Sequence, residues 1–246
     1  MDPSSPAHVI GVLGLSGGVG ASTVATALAV RAAQTRRTVL LVDGHPLGGG
    51  LDLLLGDDLA GDLGWSQLCG ARGDLDTGGV LRRLPADAGC AVLSWGSSLP
   101  PSVHPVQDTF VWRQLAAAVD LTVVDLPGPG RAEARSWLGD CSDVVLVIGA
   151  GVTGVAAAKV GMDALGLTGR PAAPHVVGAL VRSSDAAASE AISRALDLPV
   201  LGVVGDDPEV ARALTTARPV GAAAGPVRRA ADEVLATILV QQRGAA

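Results

Sequence analysis

The fold is decided by the stretch Val9-Ile10-Gly11-Val12-Leu13-Gly14-Leu15, which runs directly into Ser16-Gly17-Gly18-Val19-Gly20-Ala21-Ser22-Thr23. The apolar run predicts a buried strand, and the proline-free, alanine-rich segment from Ala21 to Ala33 predicts a helix. Glycines between them let the backbone curl, so that several N–H groups point at one centre, and the helix dipole adds to the attraction for anions. This order of elements predicts a phosphate site.

The rest of the chain repeats the alternation of apolar runs and helical stretches. Further strands are predicted at Thr38–Asp43, Cys90–Ser94, Leu121–Asp125, Asp143–Ile148, His175–Val181 and Val200–Val204. Strands that alternate with helices indicate βαβ units. We therefore predict a doubly wound α/β domain at residues 9–243, with a mostly parallel sheet of seven or eight strands, helices on both faces and the site at the carboxyl ends of the strands. Residues 1–8 are predicted to be a disordered tail.

Three segments outside these strands carry further expectations. Gly44–Gly64 and Gly96–Pro105 are predicted to be long irregular loops, which are often functional in compact domains. The last helix, from about Pro226 to Arg243, carries an apolar face at helical spacing. Packing against the domain explains that face, and a membrane-surface helix is the alternative, although acids and glutamines on its polar face disfavour it.

Composition narrows the class further. With 48% hydrophobic and 2% aromatic residues, the core is expected to consist of Val, Leu and Ala rather than rings. A net charge of −6 without a basic stripe disfavours a protein that holds DNA through its phosphates. The three cysteines fit no metal spacing and no disulfide framework. No apolar run reaches the length of a membrane span, so we expect a cytoplasmic protein.

The glycine loop resembles the deviant Walker A motif of the MinD/ParA family of P-loop ATPases, K-G-G-x-G-K-[ST]-T. Six of the eight positions agree, and the two that differ are both lysines. Ser16 stands at the position of the family's signature lysine. Ala21 stands at the position of the lysine that contacts the β- and γ-phosphates in ordinary P-loops. The resemblance thus implies a nucleotide site that has lost both of its loop cations.

The resemblance extends over residues 9 to about 240. Asp43-Gly44-His45-Pro46 resembles the D-x-D-P switch I segment, and Val123–Gly128 resembles the Walker B strand with switch II. Asp206–Val210 resembles the late loop near the adenine. Within the family the chain is most similar to the TadZ/CpaE-like branch, which includes proteins labelled septum-site-determining. It departs from many branch members because no receiver-like domain is expected before the loop, and from many relatives because Leu180–Ser183 lacks the Asn of the base-contacting loop.

The resemblance implies ATP or ADP with Mg²⁺ as the cofactor, bound with weakened affinity. The residues it assigns to the nucleotide are Gly17, Gly18, Val19, Gly20, Ala21, Ser22, Thr23, Asp206 and Pro208. Ser22 and Asp125 are assigned to Mg²⁺, the latter through water, and Asp43 is expected in the same zone. Asp206 is alternatively a helix N-cap ahead of Pro208. Arg182 is a candidate for phosphate or base contact, with a surface salt bridge as the favoured alternative.

The lost lysines are expected to cost more in catalysis than in binding. A charge-assisted phosphate contact is worth about 1.5–3 kcal/mol, which corresponds to roughly a ten- to hundredfold change in affinity. Hydrolysis needs the same cations while charge grows on the leaving phosphate. His45 replaces an Asp that is thought to orient the attacking water in this family. His45 is therefore either a catalytic loss or a substituted water-positioning residue, and at most a weak ATPase is expected.

By resemblance, the leading hypothesis is a nucleotide-modulated localisation or assembly factor, acting in Flp/Tad pilus assembly or in septum and polar positioning. Its implied partners are a second copy in a homodimer, a secretion or pilus ATPase, and polar proteins. Peripheral contact with the inner face of the membrane is compatible with this role. The alternatives are a ParA-type partition ATPase with non-specific DNA binding, a ligase-like metabolic enzyme on the same fold, and a scaffold that no longer binds nucleotide.

Overall fold

The computed structural model describes residues 8–56, 59–96, 109–168, 175–183 and 188–245. Across these residues one sheet contains the strands β1 (His8–Gly14), β2 (Val39–Asp43), β3 (Ala86–Asp87), β4 (Cys90–Leu93), β5 (Leu121–Asp125), β6 (Asp143–Gly149), β7 (His175–Arg182) and β8 (Val200–Val204). The spatial order is β3-β4-β2-β5-β1-β6-β7-β8. Every neighbouring pair is parallel except β3 and β4, which form a short antiparallel edge. The prediction of a mostly parallel sheet of seven or eight strands is confirmed.

Helices cover both faces of this sheet. They are α1 (Ala21–Ala33), α2 (Asp52–Leu55), α3 (Trp65–Leu68), α4 (Thr77–Leu81), α5 (Phe110–Ala116), α6 (Ala134–Gly139), α7 (Val152–Leu165), α8 (Ala188–Leu196), α9 (Pro208–Thr215) and α10 (Pro226–Ala245). One apolar cluster contains residues of α1, α9 and α10, and a second contains residues of α5, α6, α7 and α8. Successive strand residues alternate between them, because Leu40 belongs to the second cluster and Leu41 to the first.

Burial on both sides explains the composition of the central strands. All five residues of β2 and all five of β5 are buried, and apart from Thr122 and one terminal acid on each strand they are Val or Leu. A parallel strand that is covered on both faces needs a continuous apolar run of this kind. Asp43 and Asp125 are the acids that end β2 and β5, so each lies at the carboxyl edge of the sheet.

Several sequence expectations are shifted by the structure. The first strand begins at His8, which pairs with Asp143 at 2.9 Å, so the predicted tail of residues 1–8 is one residue too long; residues 1–7 lie outside the described part. The predicted irregular stretch at 44–64 contains the one-turn helix α2. Most of the second predicted loop, residues 97–105, lies outside the described residues. The last helix extends to Ala245, and its face of Val227, Ala230, Ala231, Val234 and Ile238 is buried in the domain.

The expectation of a core without rings is wrong. The four tryptophans are all buried and form one chain of contacts, with ring centroids 5.6 Å apart for Trp65–Trp95, 6.0 Å for Trp65–Trp137 and 5.9 Å for Trp112–Trp137. The low aromatic percentage conceals how completely the few aromatic residues are buried. This cluster lies beneath the carboxyl end of β2, because Trp65 Nε1 donates a hydrogen bond to the Asp43 carbonyl at 2.9 Å.

Candidate functional site

The glycine loop, residues 15–20, joins β1 to α1 at the carboxyl edge of the sheet. Gly18 and Gly20 have φ values of 72° and 87°, which a residue with a side chain adopts only with strain. A Cβ at Gly17 or Gly18 would meet no atom of the described residues within 4 Å, so one side of the loop is open within this part of the chain. The loop therefore has the curled backbone and free space that an anion requires.

The first turn of α1 leaves backbone donors directed toward the same region. The helix's first hydrogen bond runs from Val24 N to Gly20 O at 3.0 Å, so the N–H groups of Ala21, Ser22 and Thr23 lie ahead of the intrahelical ladder. Among the residues that the structure describes, no side chain caps this end, and the first turn of the helix contains no acidic residue. These donors and the helix dipole suit a phosphate group.

Ser22 and Asp125 form the best defined polar contact of the site. The Ser22 hydroxyl donates to Asp125 Oδ2 at 2.6 Å, and Asp125 is completely buried. The other carboxylate oxygen, Oδ1, is buried without a hydrogen-bond partner in the part of the chain that the structure describes. An unsatisfied buried carboxylate oxygen is costly, and a hydrated cation is one way to satisfy it.

Switch I lies against this carboxylate. Asp43 and Asp125 occupy the same register position on the adjacent strands β2 and β5. The next residue, Gly44, donates its N–H to the Asp125 carbonyl at 3.0 Å, and a Cβ there would lie 2.4 Å from that oxygen. Only glycine therefore allows this approach, which brings the predicted site residues on the two strands together.

The Asp43 carboxylate is held by neighbouring donors. Oδ1 accepts from His45 N at 2.8 Å, and Oδ2 accepts from Leu51 N at 3.2 Å. Burial raises the pKa of Asp43 to about 6, the charge of Asp125 adds to that rise, and the two backbone donors oppose it. Asp43 thus orders the switch I backbone, a role that its own residue type did not reveal.

His45 contributes its imidazole to the same group. Its Nε2 lies 3.6 Å from Asp125 Oδ2, and its side chain is 38% exposed. Contact with the Asp125 carboxylate raises the pKa of His45, which burial only partly offsets. The structure therefore places an imidazole ring beside the buried acid, where the family resemblance implies a second carboxylate.

Two cavities lie beside the first turn of α1, and Asp206 and Pro208 line one of them. The α9 cavity, of about 430 Å³, is lined by Gly20, Thr23, Val24, Arg182, Val204, Asp206, Asp207, Pro208, Val210, Ala211, Leu214 and Val227. The His45 cavity, of about 340 Å³, is lined by Ser22, Gly44, His45, Pro46, Leu47, Gly48 and Arg131. The predicted site residues are therefore distributed over two compartments that meet at the loop.

The late loop differs in detail from the sequence expectation. Asp207, not Asp206, is the N-cap of α9, and it accepts from Glu209 N at 3.0 Å and from Val227 N at 2.9 Å. Asp206 instead pairs with Arg182 at 3.3 Å. Arg182 also donates to the Gly205 carbonyl at 2.7 Å. The favoured salt bridge of Arg182 is present, but it lies in the α9 cavity beside Gly20.

Sequence reasoning assigned no ligand role to Ser94, which lies beside Asp43, or to Arg131. Ser94 donates to Asp52 and lies 3.4 Å from Asp43 Oδ2. Arg131 lines the His45 cavity, and its Nε donates to Glu133 Oε1 at 2.9 Å. The available signal for Arg131 was its position six residues after Asp125, just beyond the segment Val123–Gly128 that resembles the Walker B strand with switch II.

The residues present fit a magnesium ion with its nucleotide. Within the described ranges no group of three or more His, Cys, Asp and Glu side chains could hold a metal by itself. Magnesium, however, is commonly bound through one or two protein oxygens, water and substrate phosphates. The Ser22 hydroxyl, the unpaired Asp125 Oδ1 and the open glycine loop offer that combination. Nucleotide contact by residues 17–23, Asp206 and Pro208 stays a prediction.

The fold is that of the MinD/ParA P-loop ATPases. A ParA family ATPase from Chlorobium tepidum superimposes with a TM-score of 0.73 at 16% identity, over 87% of this chain and 91% of that one. The septum site-determining protein MinD from Pyrococcus horikoshii, solved with Mg-ADP, gives 0.71 at 21% identity, over 92% and 95%. Identities this low establish the architecture alone.

Sequence relatives add a local similarity. The chain is 44% identical over 86 residues to a Mycobacterium tuberculosis protein designated Uncharacterized protein Rv3660c, and it matches its counterpart MT3760 from another strain equally. The match covers 35% of this chain and 23% of each relative, so the chain spans about a quarter of the length of those proteins. No protein-family model matches the sequence. Among the described helices, none is both long and apolar enough to cross a membrane.

Proposed function

We propose that the protein is a positioning or assembly factor that binds ATP or ADP with Mg²⁺ and hydrolyses ATP slowly or not at all. One observation carries the proposal: the Ser22–Asp125 contact of 2.6 Å at the base of an open glycine loop, with Asp125 Oδ1 buried and unpaired. A hydroxyl and a carboxylate in this arrangement suit a magnesium ion that bridges nucleotide phosphates. The ion would neutralise phosphate charge, while the loop N–H groups would orient the phosphates.

Slow hydrolysis is expected from the residues at three positions, Ala21, Ser16 and His45. Ala21 and Ser16 leave the loop without a cation to stabilise the charge that develops on the departing phosphate. His45 lies beside Asp125 at 3.6 Å, so its ring is engaged with the buried carboxylate. Binding depends chiefly on backbone donors and the cation, whereas turnover depends on the missing charges, so binding is expected to survive the substitutions better.

The positioning role rests on the likeness to proteins of this fold. Solved neighbours bear the names MinD cell division protein, from Aquifex aeolicus, and McdA, from Cyanothece. Together with the TadZ/CpaE-like branch resemblance, this supports a role in Flp/Tad pilus assembly or septum and polar positioning. A homodimer is proposed, with a secretion or pilus ATPase as partner and residues 9–243 as one functional domain. Its proposed location is the cytoplasm, at a pole or at the inner face of the membrane.

Isothermal titration calorimetry tests nucleotide binding most directly. We expect measurable heats with Mg-ATP and Mg-ADP, and weaker binding of ATP when EDTA removes the cation. Phosphate release, measured in parallel, should stay at the level of an Asp125→Ala preparation, which controls for contaminating ATPases. No binding of either nucleotide would leave the protein as a scaffold. Steady turnover that Asp125→Ala abolishes would contradict the proposal of slow hydrolysis.

A ParA-type partition ATPase is the second candidate, because a plasmid partition protein from Borrelia burgdorferi bound to AMPPNP shares the fold with a TM-score of 0.63. The net charge of −6 argues against non-specific attraction to DNA. A gel shift at low salt, with and without Mg-ATP, separates the two functions. Retardation of DNA of unrelated sequences only with Mg-ATP would favour partition.

A further inference from the structure

Positive charge near the glycine loop must come from other elements, because Ser16 and Ala21 stand where the resembling family has lysines. The chain has one lysine, Lys159, and this residue lines a separate apolar cavity between α7 and α8. The cations that line the two cavities beside the glycine loop are Arg182 and Arg131. A bound nucleoside triphosphate carries several negative charges, so these arginines are the candidates for its neutralisation.

Arg182 is already engaged. One terminal nitrogen donates to the Gly205 carbonyl at 2.7 Å, and the other lies 3.3 Å from Asp206 Oδ1. Both contacts hold the guanidinium in the α9 cavity, whose lining includes the apolar side chains of Pro208 and Leu214. Arg182 therefore lines the α9 cavity and not the cavity that Ser22 lines.

Arg131 has a different arrangement. Its Nε donates to Glu133 Oε1 at 2.9 Å, and Glu133 is only 4% exposed. Within the described residues neither terminal nitrogen of Arg131 has a hydrogen-bond partner. The buried Glu133 thus fixes one edge of the guanidinium, while the opposite fork, which is the part that binds phosphate with two parallel hydrogen bonds, remains available.

The position of Arg131 defines which phosphate it would meet. It lines the His45 cavity together with Ser22, whose hydroxyl contacts the buried Asp125. Ser22 and Asp125 are the residues that would hold a magnesium ion bound with the nucleotide, so the cavity that Ser22 lines would be open to the terminal phosphate. The side chain is 40% exposed, which leaves its fork accessible from solvent.

We propose that Arg131, oriented by Glu133, contacts the terminal phosphate of the bound nucleoside triphosphate and replaces the loop cation, so that it discriminates ATP from ADP. This assignment rests on the proposed nucleotide binding. It makes Arg131 a specificity-determining residue that follows the switch II segment rather than one that belongs to the glycine loop. Glu133 is then a positioning residue that acts through the orientation of Arg131.

Calorimetry of Arg131→Gln with Mg-ATP and with Mg-ADP tests the assignment. We expect the Kd for ATP to rise about ten- to hundredfold and the Kd for ADP to change less than about threefold, since one charge-assisted phosphate contact is lost. Arg131→Lys should recover part of the ATP affinity. Glu133→Gln should weaken ATP binding by a smaller factor, because the cation is retained without its anchor. Arg135→Gln, which changes an exposed arginine of α6 that does not line the cavity, is the matched control and should leave both Kd values unchanged.

The outcomes separate the two levels of the proposal. If the wild-type protein binds neither nucleotide, the proposed function fails and this assignment fails with it. If the wild-type binds both nucleotides and Arg131→Gln leaves the ratio of the two Kd values unchanged, only the role of Arg131 is overturned. Thermal unfolding of each variant checks that it folds. Should Arg131→Gln unfold, the ratio measured in Arg131→Lys and Glu133→Gln decides, and an unchanged ratio in both overturns the assignment.

Discussion

The two cavities beside the glycine loop differ in the chemistry that lines them. The α9 cavity combines apolar side chains such as Val210 and Leu214 with one arginine whose terminal nitrogens are already paired. The His45 cavity is smaller and relatively more polar, and His45, which lines it, lies beside the buried acid Asp125. His45 lines the second cavity. Ala21 is the first residue of α1, whose first turn contributes residues to both cavities. Under the proposed function, binding of a flat apolar group and contact with a terminal phosphate would therefore depend on separate parts of the molecule.

Replacement of Asp125, whose carboxylate lies beside the His45 cavity, should produce the largest change in nucleotide affinity. In Asp125→Asn, we expect the affinity for Mg-ATP to fall at least about a hundredfold, because the cation loses a charged partner. Affinity for ATP in EDTA should change little. The melting temperature should not fall, because a buried charge with one unpaired oxygen is removed. Calorimetry and thermal unfolding measure the two effects separately.

Asp120→Asn is the control for this variant, since Asp120 belongs to the turn that enters β5 and bonds to Thr38 at the far end of the strand. It should leave Mg-ATP binding unchanged. An equal loss of affinity with and without EDTA in Asp125→Asn would mean that the carboxylate supports the loop rather than a cation.

Adding a lysine to the glycine loop tests the effect of a gained charge on nucleotide binding. Ala21→Lys should tighten ATP and ADP binding about ten- to hundredfold, because a charge-assisted contact to the β-phosphate is added. Ala21→Met has a similar unbranched length without the charge and is the matched control. Calorimetry measures both variants. Equal gains in the Met and Lys variants would attribute the effect to packing near Gly14 instead of to charge.

The titration of Asp43 and His45 also predicts how the free energy of unfolding varies with pH. The pKa values of Asp43 and His45 are raised in the folded state, so the folded protein binds these protons more tightly than the unfolded chain. The free energy of unfolding contributed by these groups therefore falls as pH rises, between about 4 and 6 for Asp43 and above 6.5 for His45. Solvent screens the half-exposed His45, which keeps its effect modest.

Thermal unfolding of the wild type and of His45→Gln between pH 6 and pH 9 measures the histidine contribution. The wild type should have the higher melting temperature at pH 6, by no more than about 3 °C, and this advantage should disappear by pH 9. A difference that is constant over the whole range would show that the ring stabilises the protein by packing rather than by its charge.

The smallest expected effect concerns assembly. In the family that the glycine loop resembles, the signature lysine reaches into the nucleotide site of the partner subunit. Ser16, which stands at that position here, is too short to do so. A dimer would then rest on apolar contacts of the segments Gly48–Gly56 and Pro127–Arg131, to which the Arg131 guanidinium, assigned above to the terminal phosphate, does not contribute. Sedimentation velocity should show the same state in ATP, in ADP and without nucleotide. A monomer that becomes a dimer only with ATP would contradict this account of the loop.

The regular part of the fold could be predicted because its signals are local. The first helix, Ala21–Ala33, and the strand Leu121–Asp125 have the predicted bounds, since an apolar run and its flanking turn residues are contiguous in sequence. The two-residue strand β3 could not be predicted, because so short a segment has no periodicity. The location of Asp43 and Asp125 at the carboxyl edge of the sheet could also be predicted, because each of them ends a parallel strand.

The parts that escaped prediction depend on long-range contacts. Trp65 and Trp137 are 72 positions apart in the numbering yet pack at 6.0 Å, and no sequence spacing reveals that pair. Arg131 reaches the His45 cavity only because of the turn that follows β5. The Asp206–Asp207 pair shows a finer limit: either acid could cap the helix before Pro208, and backbone geometry selected the second.

The buried tryptophan chain makes the protein its own optical probe. The sequence has four tryptophans and no tyrosine, so ultraviolet emission comes from this one cluster. Trp65 touches the Asp43 carbonyl at the end of β2 and stacks on Trp95 at 5.6 Å, which places the coupled rings directly under switch I. A displacement of that segment alters the environment of the indoles. Fluorescence and near-ultraviolet dichroism can therefore follow the segment without any attached dye.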